Sequence, residues 1–280
     1  METIVIDKID IYRNGICAFL SDVSVTYDAK LCYAIRTGDK TGLADIEKEV
    51  YSFLEDVLEE TQANRLERYE AVKALHDYLV HNVKYDTSFQ NISHTPEGVM
   101  RNGLAVCDGY ARTMHLLLSM IGIESKIVTG YAGNEDHAWN LVKMEDGWYH
   151  VDVTWDDPVM SNGEDTIQYY YFFKNDEDMK RTHVWESDIS CAGEKYRMYF
   201  YRNVMCGSLE DVRDVYERQI ATEEKLIFCY PVGGLITQDI IMDYVANRFG
   251  CGYTYYPETE VSGYWVLSIK NPFVTGTVAE

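Results

Sequence analysis

The chain lacks several features that would have pointed to a function directly. None of its seven cysteines forms a C-x-x-C pair, which argues against structural zinc and against a thioredoxin-type dithiol. Basic residues are scarce: 25 stand against 46 acidic ones, giving a formal charge of −21. A polyanion of this kind repels nucleic acid and anionic lipid, so neither a nucleic-acid nor a membrane partner is expected. The longest nearly apolar run, "MHLLLSMIGI", is about half of a membrane span. The first residues, "METIVIDKIDIYRNG", have no basic leader and no uninterrupted apolar core of a signal peptide. Well-separated cysteines in a long chain read as reduced thiols, hence cytoplasmic. An exported protein whose signal had been removed would look the same.

What is present is an ordinary globular composition, 46% hydrophobic and 25% charged over 280 residues. That is enough for one large domain or two smaller ones with a core that needs no staples. Residues 3–37, rich in Ile, Val and Tyr, read as short strands with room for a helix. Apolar stripes predict helices from Leu43 to Glu60 (Ile46, Val50, Phe53, Leu54, Val57) and from Tyr69 to Asn82 (Val72, Leu75, Leu79). "KYDTSFQNISHTPEG" is loop-forming, and a third helix opens at Cys107 and is closed by Gly122. The period then changes to two. "KIVTGYA", "HAWNLVKM" and "WYHVDVTW" read as strands, "DDPVMSNGEDT" as a loop, "QYYYFF" as a strand, and the segment to Cys191 as irregular. Beyond it the pattern predicts strand (Tyr196–Val204), helix (Ser208–Thr222, with a Ser208/Asp211 capping box), strand (Lys225–Tyr230), helix (Thr237–Phe249) and two strands. "YRNGICAFLSDVSVTY" from Tyr12 and "YRNVMCGSLEDVRDVY" from Tyr201 agree at eight of sixteen positions. The match predicts a shared strand–helix arrangement, although Val23, Val25 and Thr26 favour a strand.

Cys107 shares a helical stripe with Ala111, Met114, Leu118 and Ile121, which is also how a buried, inert cysteine would sit. Its place in the first helical turn is what distinguishes it. Unpaired N–H groups and the helix dipole favour an anion there, either a thiolate or the oxyanion of a tetrahedral intermediate. A thiolate nucleophile also needs a base and a group to orient that base. Of the seven histidines, His115 lies about 12 Å of helical rise away and is too far. His76 and His81 read as surface residues, while His94 and His183 lie in irregular segments. His137 opens a strand, and Asp152 lies on the next one. If the hairpin pairs Lys143 with Trp148, Asp152 stands opposite Trp139 and one diagonal step from His137 on the same face. A three-residue "EDG" loop would put the two on opposite faces, and the sequence does not choose. His150 shares the face of Asp152 but lies nearer the turn, and so reads as a decoy.

The blocks "VCDGYA", "HAWN" and "WYHVDVTWDDP" closely resemble the core of the bacterial transglutaminase-like superfamily, related in fold to papain. The resemblance extends from about Leu66 to Trp185. It implies an α+β fold with a transglutaminase-like, papain-like core of helices packed on an antiparallel sheet, flanked by small α+β units. The corresponding division is an N-terminal flank (1–62), the catalytic core (63–190) and a C-terminal unit (191–280). The resemblance also implies a Cys-His-Asp triad that falls on Cys107, His137 and Asp152, with no cofactor and no metal. Tyr85 in "VKYDT" is a loose match to the aromatic second oxyanion donor of transglutaminases. The expected activity is acyl transfer on protein or peptide amides through a Cys107 thioester, ending in crosslinking or in hydrolysis. The alternative is a non-catalytic protein- or glycan-binding module on the same scaffold.

Overall fold

The computed structural model describes residues 6–14, 17–25, 27–157, 169–197, 202–223, 225–250 and 254–274. The chain divides into two compact units, Met1–Glu194 and Lys195–Glu280. The first opens with an antiparallel hairpin of β1 (Ile6–Asn14) and β2 (Cys17–Val25). Helices α1 (Tyr27–Thr37), α2 (Asp45–Thr61) and α3 (Arg68–Asn82) follow. The expected stripe of α2 is buried at Val50, Leu54 and Val57. Glu47 is buried among them because its carboxylate accepts the Ala44 N–H (2.7 Å) and the Lys30 ammonium (2.9 Å). This satisfies one of the orphan donors of the helix start.

The expected loop after α3 is partly ordered into β3 (Lys84–Tyr85), a 3₁₀ turn (Asn91–His94), α4 (Pro96–Asn102) and β4 (Leu104–Ala105). β3 and β4 pair in parallel, Tyr85 opposite Ala105. The helix α5 (Cys107–Met120) then runs through the core, with Tyr110, Ala111, Met114 and Leu116 to Leu118 buried. Gly122 beyond it has φ +72°, the left-handed conformation in which glycine carries no Cβ penalty.

Against α5 lies an antiparallel sheet of β5 (Ser125–Ala132), β6 (Glu135–Met144), β7 (Gly147–Val151) and, after α6 (Asp176–Met179), β8 (His183–Trp185). The strand order is β7-β6-β5-β8. The fold is thus mixed helix and antiparallel sheet. Asn140 ties the sheet to the helix by donating its side-chain amide to the Ala111 carbonyl (2.9 Å).

Three sequence expectations need correction. "QYYYFF" is not a strand: among its described residues, 170–173 form turns and bends, and Phe173 has φ +53°. Phe172 and Phe173 are both buried against Tyr69, and the positive φ of Phe173 breaks the extended backbone a strand would need. The segment to Cys191, expected to be irregular, contains α6 and β8. The match between the two Tyr-Arg-Asn segments is a coincidence of sequence, since Cys17–Val25 is a strand whereas Leu209–Gln219 is a helix. Its β-branched residues had favoured the strand. Most of the expected loop "DDPVMSNGEDT" lies outside the described residues. Of the expected strand Tyr196–Val204, residues 198–201 lie outside them and 202–204 form a 3₁₀ turn.

The second unit contains α7 (Leu209–Gln219), β9 (Lys225–Pro231), α8 (Gln238–Phe249), β10 (Tyr255–Val261) and β11 (Tyr264–Lys270). Its sheet is antiparallel in the order β10-β11-β9. Val212, Val215, Ile241 and Val245 of the helices share a core with Leu226, Phe228, Leu267 and Ile269 of the strands. The capping box is formed: Ser208 Oγ accepts the Asp211 N–H (3.2 Å) and Asp211 Oδ2 accepts the Ser208 N–H (2.8 Å).

Candidate functional site

Cys107 is the first residue of α5, and Val106 before it is extended and offers no side-chain cap. The leading N–H groups of the helix have no carbonyl partner within it, so they remain available to an anion at that end. Two contacts place this helix start. Val106 donates its N–H to the Ser93 carbonyl (2.9 Å), and β3 lays Tyr85 beside Ala105. Asp86 organises the intervening loop, accepting from Ser88, from the Gln90 N–H and from the Ser93 hydroxyl (2.6 Å).

The hairpin register is the one that joins His137 to Asp152. Lys143 pairs with Trp148 and Asn140 with Val151, and a further pair, Met144 with Gly147, leaves only Glu145 and Asp146 in the turn. His137 and Asp152 therefore share a face. His137 Nε2 lies 2.7 Å from Oδ2 of Asp152, with both residues buried. A carboxylate only accepts, so Nε2 carries the proton and Nδ1 is left for the Cys107 thiol, which is within hydrogen-bonding reach of the ring. The structure thus brings all three expected residues together.

The electrostatics follow from this packing. Burial disfavours the charged imidazolium of His137, but the Asp152 carboxylate and the Cys107 sulfur outweigh it and push the group up to about 10. Burial likewise raises Asp152, yet His137 and His183 hold it down at about 2. Tyr85 is half-buried near the thiol. Its phenol is raised by burial and then by Cys107, Glu135 and Asp86, which keeps it protonated and able to donate.

Sequence reasoning missed several residues. His183 is buried, and its Nε2 lies 3.1 Å from the same Asp152 oxygen. Only a three-residue strand carries it, too short for a period to register. Trp139 stacks on His137 (5.7 Å, 22°), and Trp155 donates its backbone N–H to Asp152 Oδ1 (3.2 Å). His76 is fully buried rather than at the surface, with Nδ1 on Asp77 (3.0 Å) and Nε2 on Asp156 (3.3 Å), whereas His81 is exposed. Asp156 also accepts the Tyr171 N–H (2.8 Å), so this network fixes the turn that follows β7. The decoy His150 accepts the Trp139 indole N–H at Nδ1 (2.9 Å) and donates from Nε2 to Asp176 (3.0 Å).

Two groups place three ligand-type atoms within 4.8 Å of one another among the described residues: His137, Asp152 and His183; and His150, Asp176 and Cys191. In both, each imidazole Nε2 is already committed as a donor to a carboxylate. In the second, the Trp139 indole fixes that proton, since a donor-only group requires Nδ1 to accept.

Residues 55–153 match the model of the transglutaminase-like superfamily, a span that contains Cys107, His137 and Asp152. Kyphoscoliosis peptidase of Homo sapiens is 28% identical over 167 residues, covering 54% of this chain and 23% of the relative. Its Mus musculus counterpart is 27% identical over 132 residues, covering 41% and 19%. The matched segment spans less than a quarter of either relative. Both are mammalian, and nothing in these matches bears on a bacterial origin. Two solved structures also align: a TGase (TM-score 0.36, 18% identity, 44% of this chain and 36% of that one) and a protein described as a candidate cysteine protease of Cytophaga hutchinsonii (TM-score 0.34, 22% identity, 38% and 37%). The site geometry stands independently of these distant alignments. Residues 55–153 of this chain are thus similar in sequence to the transglutaminase-like superfamily.

Proposed function

We propose that the protein is a thiol-dependent acyl-transfer enzyme acting on protein or peptide amides, with Cys107 as nucleophile, His137 as general acid and base, and Asp152 as the orienting carboxylate. The observation that carries this reading is the buried His137–Asp152 pair with the Cys107 thiol against the same imidazole. His137 Nδ1 takes the thiol proton, the Cys107 sulfur attacks the carbonyl carbon, and the carbonyl oxygen takes the electron pair. The N–H groups at the start of α5 receive that oxyanion, and the Tyr85 phenol, near the thiol, is the candidate for a second donor. As the C–N bond breaks, His137 Nδ1 gives its proton to the departing amine, leaving a thioester. Water then attacks while Nδ1 takes its proton, the C–S bond breaks, and the thiol is restored. An amine in place of water gives a crosslink.

The relatives' name, peptidase, supports hydrolysis as the first outcome to measure. The test is alkylation by iodoacetamide with mapping of the modified residue, followed by release of amine and acid from glutamine-containing peptides. Cys107 reacts first, His137→Ala slows it strongly, Asp152→Ala slows it less, and Cys107→Ser abolishes acyl transfer. If another cysteine reacts first and His137→Ala changes nothing, the proposal fails.

A further inference from the structure

Asp152 receives two imidazole donors on one oxygen, and the reaction above uses only one of them. We infer that His183 is a positioning residue of this site which, acting through Asp152, sets how tightly His137 holds its proton. The inference rests on the proposed roles of Cys107, His137 and Asp152 and deepens them.

His183 Nε2 lies 3.1 Å from Asp152 Oδ2, and His137 Nε2 lies 2.7 Å from the same atom. On the other side of the ring, His183 Nδ1 is 2.8 Å from the Thr182 hydroxyl. With Nε2 donating to a carboxylate, Nδ1 accepts from that hydroxyl, and the tautomer is defined. Thr182 also hydrogen-bonds the Tyr171 side chain. The ring is caged by Trp139 (4.9 Å), Trp155 (4.7 Å) and Tyr171 (5.4 Å), which keep water from Oδ2. β8 holds it there by pairing His183 with Ala132 and Trp185 with Gly130 of β5.

An uncharged N–H donor stabilises the pair most when its net charge is most negative, that is, carboxylate with neutral imidazole. His183 therefore lowers the proton affinity of the His137–Asp152 pair and makes His137 readier to protonate a departing amine. The other ionisable groups bearing on the pair are Cys107 from α5, His150 from β7, Asp156 in the turn after β7, and Tyr171; His76 of α3 reaches it only through Asp156. None of them is a second donor on Oδ2 among the described residues.

The test uses His183→Phe, which keeps a ring in the cage without nitrogens, and His183→Gln, which keeps an N–H donor. The readouts are the His137 imidazole titration by NMR and the pH profile of Cys107 alkylation. In His183→Phe both the His137 titration and the alkaline limb of the profile, where the imidazolium beside the thiolate loses its proton, move to higher pH by about one unit, the scale of one hydrogen bond to an ionised group. His183→Gln returns them most of the way. A folded His183→Phe with an unchanged His137 titration overturns the inference, as does an equal shift in both variants. Should His183→Phe not fold, the exposed Thr182→Val removes the hydroxyl that fixes the tautomer. It shifts the titration in the same direction by less, and no shift refutes the role. The titration is read whether or not Cys107 transfers acyl groups. An inert Cys107 in the unaltered protein would therefore sink the proposed function, while the titration alone decides the role of His183.

Discussion

Gly109, two residues into the helix that starts at Cys107, offers the sharpest test of how the nucleophile is placed. A Cβ built there would lie 2.3 Å from the Ser93 carbonyl oxygen, where ordinary contact begins at 3.4 Å. The shortfall is 3.4 − 2.3 = 1.1 Å, and the obstacle is backbone rather than a flexible side chain. Gly109→Ala must therefore push the Asn91–His94 turn away from the start of α5. That strains a packed site, at about 1–3 kcal/mol. It also weakens the 2.9 Å bond from Val106 N–H to Ser93, worth about 1 kcal/mol. The better helix propensity of alanine returns about 1 kcal/mol. The net expectation is a loss of about 1–3 kcal/mol, or roughly 2–4 °C per kcal/mol for a unit of this size. Because Val106 directly precedes Cys107, alkylation of Cys107 should slow as well. Denaturant unfolding and iodoacetamide kinetics measure both effects. A Gly109→Ala protein as stable as the original, or more so, would mean that propensity decides and the close approach to Ser93 does not exist.

Other consequences are equally direct. A Cβ at Gly130 would meet the Val184 carbonyl at 2.1 Å, so Gly130→Ala should pry β8 from β5, destabilise the first unit on thermal unfolding, and move the His137 titration as His183→Phe does. Burial pushes the thiols of Cys32 up to about 11 and of Cys191 and Cys206 up to about 12, so at pH 7 peptide mapping should find these three alkylated far more slowly than Cys107. The raised His137 contributes stability that is complete below its unfolded value near 6.5 and is lost as pH rises through about 10. Asp152 contributes stability that is complete above about 3.9 and is lost as pH falls through about 2. Unfolding free energy measured from pH 6 to 10 should therefore fall, and His137→Gln should flatten that slope. An identical slope in the variant would show that the pair is not coupled to folding.

The sequence by itself determined the elements whose signal is local. The stripe of α2, the start of α5 at Cys107, the Ser208 capping box and the extended runs of β5 to β7 all depend on neighbours a few residues apart. Periodicity and cap chemistry record such neighbours directly. The three blocks around Cys107, His137 and Asp152 were legible for the same reason, each being a short run within one element. Tertiary structure alone decided the rest. The hairpin register turned on whether Met144 pairs with Gly147, a choice between turns of nearly equal local plausibility that reverses the face of every following residue. "QYYYFF" has the composition of a strand, yet the aromatic cluster around Tyr69 and His76 draws consecutive phenylalanines inward. His183 joins the site across thirty-one positions of chain. No local pattern encodes that contact, because it arises only when β8 pairs with β5 and sets the His183 ring against the buried Asp152 carboxylate.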